Sequence, residues 1–257
     1  MNVLPVMDLQ GGHVVRGVGG RRNQYSSVSS CFCADARPAT VARALVGTFG
    51  FSQVYVADLD AIEQAEPGWE AYCRIADCGL SLWLDAGIKN CVDAEPLLAR
   101  APAAVHGLIV ATETLDCPDV LDALRARVGD DRLVFSLDMH EGHAVSRSPA
   151  WRRLDPRTIL RIALDGGVRR FILLDLARVG SGAGAGTETL CRWLREQIPD
   201  GEIAAGGGIR HLADVTNLVA AGCDWVLVAS ALHDGRITAD QIRGGRGRSP
   251  GSACSGT

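Results

Sequence analysis

PVMDLQGGHVVRG, residues 5–17, runs an apolar segment into an aspartate and straight on into a Gly-Gly turn. The pattern returns much later as FSLDMHEGHAV, residues 135–145. Aligned, Asp8 meets Asp138, Gly12 meets Gly142, His13 meets His143 and Val15 meets Val145. A short apolar run closed by a glycine turn reads as a buried strand. The chain therefore finishes two buried strands, far apart in sequence, on a carboxylate.

The repeat extends outward from this pair. VYVADLDAI (54–62) parallels FILLDLARV (171–179), with Asp58-Leu59 against Asp175-Leu176. DAGIKNCVDAEPLL (85–98) parallels GGGIRHLADVTNLV (206–219), where Gly87-Ile88 meets Gly208-Ile209, Lys89 meets Arg210 and Asp93 meets Asp214. LIVATETL (108–115) parallels VLVASALH (226–233). Four matches in the same order describe a chain made of two halves with four strand–helix units each. Strands are expected near 3–8, 53–58, 81–85, 106–111, 132–138, 169–175, 202–206 and 224–229, with amphipathic stretches between them. PATVARALVGTFG (38–50) reads as a helix with Thr40 as N-cap and Gly50 as its stop. LDPRTILRIALDGG (154–167) reads as one with Asp155 as N-cap, Pro156 in the first turn and Gly166 as stop. Eight strands, seven good helices and a short eighth predict an α/β protein, a closed (β/α)8 TIM barrel built from two duplicated (βα)4 half-barrels.

The 257 residues suit one such barrel over 1–243, and a 47% apolar composition supplies its core. The stretch 244–257, GGRGRSPGSACSGT, is rich in Gly, Ser and Arg and reads as a disordered tail. A net charge of −4 gives no general pull toward nucleic acid or a membrane, so neither is expected as a partner. Nine scattered cysteines without CxxC spacing read as reduced thiols in a cytoplasmic protein. The start MNVLPVMDLQ lacks the pattern of a signal peptide, and no apolar stretch is long enough to span a bilayer.

Gly206, Gly207 and Gly208 after the seventh strand free the backbone N–H groups to converge on an anion. Barrels often hold a phosphate between the loops after strands 7 and 8, and Ser230 and Ala231 supply the second half of that cradle. The duplicated half has no glycine run: Asp85-Ala86-Gly87 follows its third strand and Glu113 its fourth. Two carboxylates there repel a phosphate dianion. Lys89, Arg21 and Arg22 offset part of this. One good phosphate site and one altered site are expected, the altered one taking an amine, a hydroxyl or a smaller anion. Asp85 capping the next helix is the structural alternative.

Strands 1 and 5 face each other across a barrel, so Asp8 and Asp138 are expected to face each other across its mouth. One protonated and one ionised carboxylate suit acid–base catalysis. Arg16, Arg21, Arg22, Asp58, Asp85, Lys89, Thr112, Glu113, Asp175 and Arg178 are the further candidates for substrate contact. The basic loop GGRRNQYSS (19–27) is long enough to act as a lid or clamp, and the glycine-rich RVGSGAGAG (178–186) as a second. Trp151 either stacks on a heterocycle or packs. His13, His140 and His143 lack ligand spacing, so no metal is expected. There is no dinucleotide fingerprint, and acid–base isomerisation needs no cofactor. Oligomeric state is not legible.

The chain resembles the HisA/HisF family of half-barrel-duplicated enzymes of histidine biosynthesis. MDLQGGHVVRG, VADLDAI, DAGIK, SLDMHEG, AAGGGIR and LVASAL carry the resemblance, which covers the chain to about Asp234. MDLQGGHVVRG and DLDAI look closer to the isomerase than to the cyclase. The resemblance implies an Amadori rearrangement of an aminoaldose phosphate with a first-strand Asp, here Asp8, as base. It places the acid in the loop after strand 6, in a pattern like Thr-Asp-Ile-x-x-Asp-Gly. Here that stretch is Leu174-Asp175-Leu176-Ala177-Arg178-Val179-Gly180, and valine moves no proton. Either Asp138 supplies the acid or the reaction differs. RGVGGRRNQY looks more like HisA/HisF-related proteins of methanogens and methylotrophs, which suggests a monophosphate substrate in one-carbon cofactor metabolism of the methanopterin or methanofuran type. A non-enzymatic phosphate-binding sensor or partner subunit is the third reading.

Overall fold

Strand residues alternate sides, and in this chain the alternation sorts the core into two compartments. The computed structural model describes residues 3–181 and 184–246. Its barrel strands are β1 (Val3–Gln10), β2 (Gln53–Asp58), β3 (Ser81–Asp85), β4 (Val105–Ala111), β5 (Leu133–His140), β6 (Arg170–Asp175), β7 (Glu202–Gly206) and β8 (Trp225–Val228). Each pairs in parallel with the next. β8 pairs back onto β1, Leu4 opposite Leu227, and closes the barrel. The expected strands lie within two residues of these bounds.

Leu4, Tyr55, Trp83, Ile109, Val134, Ile172, Ala204 and Leu227 point inward and fill the barrel. Their strand neighbours, among them Met7, Val56, Leu84, Val110, Phe135 and Leu173, point outward under the helices. The lower end is closed by Arg170, paired with Glu202 at 2.6 Å and lying over the Trp83 ring at 4.7 Å. The upper, C-terminal end is open.

The outer layer holds α1 (Pro38–Ala44), α2 (Leu59–Gln64), α3 (Trp69–Ala76), α4 (Cys91–Arg100), α5 (Val120–Val128), α6 (Pro149–Arg152), α7 (Pro156–Asp165), α8 (Glu188–Gln197), α9 (Leu212–Ala220), α10 (Ser230–His233) and α11 (Ala239–Arg246). α7 starts as expected: Asp155 accepts from the N–H groups of Arg157 and Thr158, each at 3.1 Å, and Gly166 ends the helix. α1 starts earlier than Thr40, because Pro38 provides a preset φ and Arg37 is the N-cap. A π-helical turn, Leu45–Phe49, extends α1 to Gly50, which stops it at φ +68°. α11 runs to Arg246, past the expected boundary at 243; the remainder of the expected tail lies outside the described residues. No helix among the described residues is long and apolar enough to cross a membrane.

The opening repeat is a pair of hairpins. β1 turns at Gly11-Gly12 (φ +56° and +76°) into an antiparallel return over His13–Arg16. β5 turns at Glu141-Gly142 (φ +53° and +77°) into a shorter return over His143–Ala144. Two successive residues with positive φ make the tight turn that suits strand twist.

Candidate active site

A cavity of about 460 Å³ opens at the C-terminal end of the barrel. Strand alternation decides which polar residues reach it. Asp8 follows the inward Leu4 and Val6, Asp85 follows Trp83, and Asp138 follows Val134 and Ser136. Glu113 continues the inward series of Ile109 and Ala111. All four acids line the cavity. Asp58, Thr112 and Asp175 sit one residue out of step with these series and point the other way.

Those three were expected at the substrate, and the structure gives them other work. Asp58 caps α2, accepting from Ala61 N–H at 3.0 Å, and also takes Gly68 N–H at 2.8 Å and the Tyr72 hydroxyl. Asp175 accepts from the N–H groups of Glu141 and Gly142 at 3.1 and 3.0 Å, clamping the second hairpin, and from Ala177 N–H at 3.1 Å. The first hairpin is clamped instead by Asp60, which takes Gly11 N–H at 2.8 Å. Thr112 is buried, and its hydroxyl accepts from Asp138 N–H at 3.0 Å. It positions Asp138 through the backbone.

Other expected contacts also lie away from the cavity. Arg16 turns outward to Asp234, with 2.6 and 2.9 Å bonds to its two oxygens. Lys89 lines a separate outer cleft beside Trp69 and Arg100. Arg178 is not among the cavity-lining residues and packs beside Gly186. Trp151 is fully buried, its ring 5.9 Å from that of Phe135, so it packs in the core.

The phosphate expectation narrows. Gly207, Gly208 and Ser230 line the cavity, together with Ala229. Gly206 belongs to β7, where a Cβ would lie 2.7 Å from that of Leu227, so its glycine serves close strand approach. Ala231, in the first turn of α10, buries its side chain, and among the described residues no side chain accepts from its N–H. Among the described residues no side chain accepts from the N–H of Gly207, Gly208 or Ser230. The matching turn of the first half differs: Asp85 Oδ1 accepts from Gly87 N–H at 3.1 Å. Asp85 caps no helix, because α4 starts later with Asn90 as N-cap, accepting from Val92 N–H at 2.9 Å.

The basic first loop lies over the mouth. Arg21, Arg22, Asn23 and Tyr25 line the cavity, and Arg22 donates to Glu113 at 2.7 Å and to Glu63 on α2 at 3.4 Å. Val179 is the seat of this loop: its carbonyl accepts from Gly19 N–H at 2.9 Å. Gly17 lies between Val179 and Asp8, where a Cβ would approach Val179 Cγ1 to 2.8 Å and Asp8 Oδ2 to 3.2 Å. The expected second lid shares this contact through Val179 and Gly180, while residues 182 and 183 within it lie outside the described residues. Glu63, Tyr55 and Arg236 also line the cavity and were not among the expected residues. Tyr55 was legible by alternation alone, since it precedes Ala57 on the inward side; its hydroxyl donates to Asp85 Oδ2 at 3.4 Å. Glu63 had no local signal, because only helix packing brings it to the mouth.

Burial dominates the electrostatics. Asp8 is pushed up to about 7 by loss of water and by Asp85, against the pull of Arg22. Asp138 is pushed up to about 8 by burial, then by Glu113 and Asp85; the Ser136 hydroxyl, donating at 2.8 Å, and Arg22 oppose this. Asp85 rises to about 6 by burial, restrained by Gly87 N–H. The floor thus holds carboxylates that differ in proton affinity near neutrality, as proton transfer in both directions requires. Among the described residues no group of three or more His, Cys, Asp or Glu is arranged to hold a metal ion.

Comparison with known proteins agrees with this architecture. The family model described as "Histidine biosynthesis protein" matches residues 2–238. An uncharacterized protein of Methanocaldococcus jannaschii is 28% identical over 94% of this chain and 97% of its own length. Two relatives are named 1-(5-phosphoribosyl)-5-((5-phosphoribosylamino)methylideneamino)imidazole-4-carboxamide isomerase. The one from Halobacterium salinarum is 30% identical over 92% of this chain and 93% of its own. The one from Leuconostoc mesenteroides is 24% identical over 94% and 98%.

Proposed function

The chain belongs to the histidine biosynthesis protein family, and from that premise we propose that it is an acid–base isomerase of a phosphorylated aminosugar-type substrate. The observation that carries this reading is the pair Asp8 and Asp138, inward on opposite strands of one cavity and poised at about 7 and about 8. Near pH 7.5 the first is largely ionised and serves as base. The second is largely protonated and serves as acid. A proton leaves the carbon next to the aldose carbonyl position toward Asp8, while Asp138 protonates the departing ring oxygen; the enolamine then tautomerises to the ketose. No oxidant, metal or added water enters this balance. Gly207, Gly208 and Ser230 hold the phosphate, and the loop carrying Arg22 and Tyr25 covers the cavity.

The test is turnover of the aminoaldose substrate of the named relatives by purified protein, with Asp8→Asn beside it. Turnover that falls about 10³-fold in the variant supports the reading, a size typical for loss of a general base. Folded wild-type protein without turnover would reject that substrate.

A second reading is favoured by one observation. The relatives' named substrate contains two phosphoribosyl groups, whereas the N–H of Gly87, the counterpart of the Gly208 N–H, is taken by Asp85. This supports the same chemistry on a monophosphate.

A further inference from the structure

The end of the cavity away from Gly207 and Ser230 is built from β3, β4 and α2. Three carboxylates line it: Asp85, Glu113 and Glu63. One guanidinium is seated among them. Arg22 bonds to Glu113 Oε2 at 2.7 Å and Glu63 Oε1 at 3.4 Å, with only 19% of its side chain exposed. Arg22 belongs to the covering loop, so the cation among these acids enters from the lid and is not part of the barrel wall.

Asp138 adds an independent polar group. It is only 4% exposed and lines the same cavity. Its Oδ1 is taken by the Ser136 hydroxyl at 2.8 Å. Among the described residues no donor reaches its Oδ2, so that oxygen is open to the cavity, and a cation placed beside it would favour the ionised form. An anion placed at this end would meet three acids, one cation already held by two of them, and a turn whose Gly87 N–H is occupied. A group bearing N–H donors and positive charge would meet the carboxylates of Asp85, Glu113 and Glu63, with Arg22 as the one cation already held there.

We propose that the β3–β4 end of the cavity binds a cationic group, a protonated amine or amidine, so that the substrate is a monophosphate whose far end is positively charged. This rests on the reading of Gly207, Gly208 and Ser230 as the phosphate cradle. Glu113 and Asp85 are the specificity-determining residues. Arg22 holds the place of the missing charge until the cationic group joins or displaces it.

The test is calorimetric titration of the full chain at pH 7.5 with probes of one length: pentyl phosphate, 5-aminopentyl phosphate, pentane-1,5-diyl bisphosphate and pentylamine. The aminoalkyl phosphate is expected to bind about 10-fold tighter than pentyl phosphate, about 1.4 kcal/mol, and the bisphosphate no tighter than pentyl phosphate. Asp85→Asn and Glu113→Gln should each erase most of that advantage. Affinity for pentyl phosphate should survive in both, which also shows that each variant is folded. Glu113→Gln should in addition free Arg22 and tighten the bisphosphate. A bisphosphate that outbinds the aminoalkyl phosphate on wild-type protein overturns the proposal, as does an amine advantage that persists in both variants. If no phosphate probe binds, the cradle reading fails by itself. The cationic end is then judged by pentylamine alone: binding lost in Glu113→Gln supports it, and no binding overturns it.

Discussion

The two ends of the cavity descend from the same sequence pattern and have become electrical opposites. At the β7–β8 end, Gly206-Gly207-Gly208 leads toward α9, and among the described residues no side chain accepts from the N–H of Gly207 or Gly208. At the β3–β4 end, Asp85-Ala86-Gly87 occupies the matching positions, and the Asp85 carboxylate closes on the Gly87 amide at 3.1 Å. A side chain where the other half has none fills the turn from within. Glu113 then adds a second charge and anchors the lid through Arg22. The barrel frame around both turns is the same, since Lys89 N–H and Arg210 N–H are both held by the carboxylate four residues on, at 3.0 and 2.8 Å. A shared backbone frame in the two halves therefore coexists with opposite charge at the rim, because the frame depends on apolar burial and the charge on a few rim side chains.

Making the two ends alike should have the largest effect. Ser230→Asp places a carboxylate where the β7–β8 end has a hydroxyl. It should weaken phosphate binding about 100-fold, consistent with a few kcal/mol between like charges in a partly dry site; titration with pentyl phosphate measures it. Unchanged affinity would remove Ser230 from the cradle and undo the contrast.

The shared floor can be tested through stability. Asp138 titrates at about 8 in the folded protein against an ordinary value of 3.8. Below pH 4 it carries its proton in both states and costs nothing. As pH rises from 4 to 8 the unfolded chain releases that proton while the folded one keeps it, so stability falls, and the loss is complete above 8. Asp138→Asn cannot ionise and still accepts from Ser136. It should gain about 1–3 kcal/mol at pH 8, a rise in Tm of several degrees, and almost nothing at pH 4. Thermal melts at the two pH values decide it; an equal gain at both would mean the effect is packing, not charge.

The lid seat is a smaller lever. Gly17→Ala places a methyl 2.8 Å from Val179 Cγ1 and 3.2 Å from Asp8 Oδ2. It should cost about 1–2 kcal/mol of stability, and Val179→Ala added to it should restore most of that. Melting curves of the single and double variants measure the rescue, and its absence would place the clash at Asp8. Arg16→Ala should matter least. Its pair with Asp234 lies on the surface outside the cavity, with side chains 32% and 20% exposed, so the loss should stay below about 1 kcal/mol and leave phosphate affinity unchanged in titration.

Much of the site was legible once alternation was applied to the strand ends. Asp8, Asp85, Glu113 and Asp138 fall in step with inward apolar residues. Asp58, Thr112 and Asp175 fall out of step by one, and the same rule would have excluded them. Val179, read as the loss of an acid, is in the folded chain the carbonyl and methyl surface on which the first loop sits. That role depends on two loops from opposite halves meeting at Gly17, which no local pattern encodes.

The sequence by itself determined the eight strands, the duplication and the carboxylates that finish strands 1 and 5, because hydrophobic period and turn residues are local and act before the chain closes. Only the tertiary structure decided which polar side chains share water with one another. Arg16 and Arg22 look alike as letters six apart, yet one faces Asp234 outside and the other bridges Glu113 and Glu63 within. Burial then raised the proton affinity of Asp8, Asp85 and Asp138. Desolvation is a property of the assembled barrel: it depends on how much of each carboxylate's surroundings the rest of the chain takes from water.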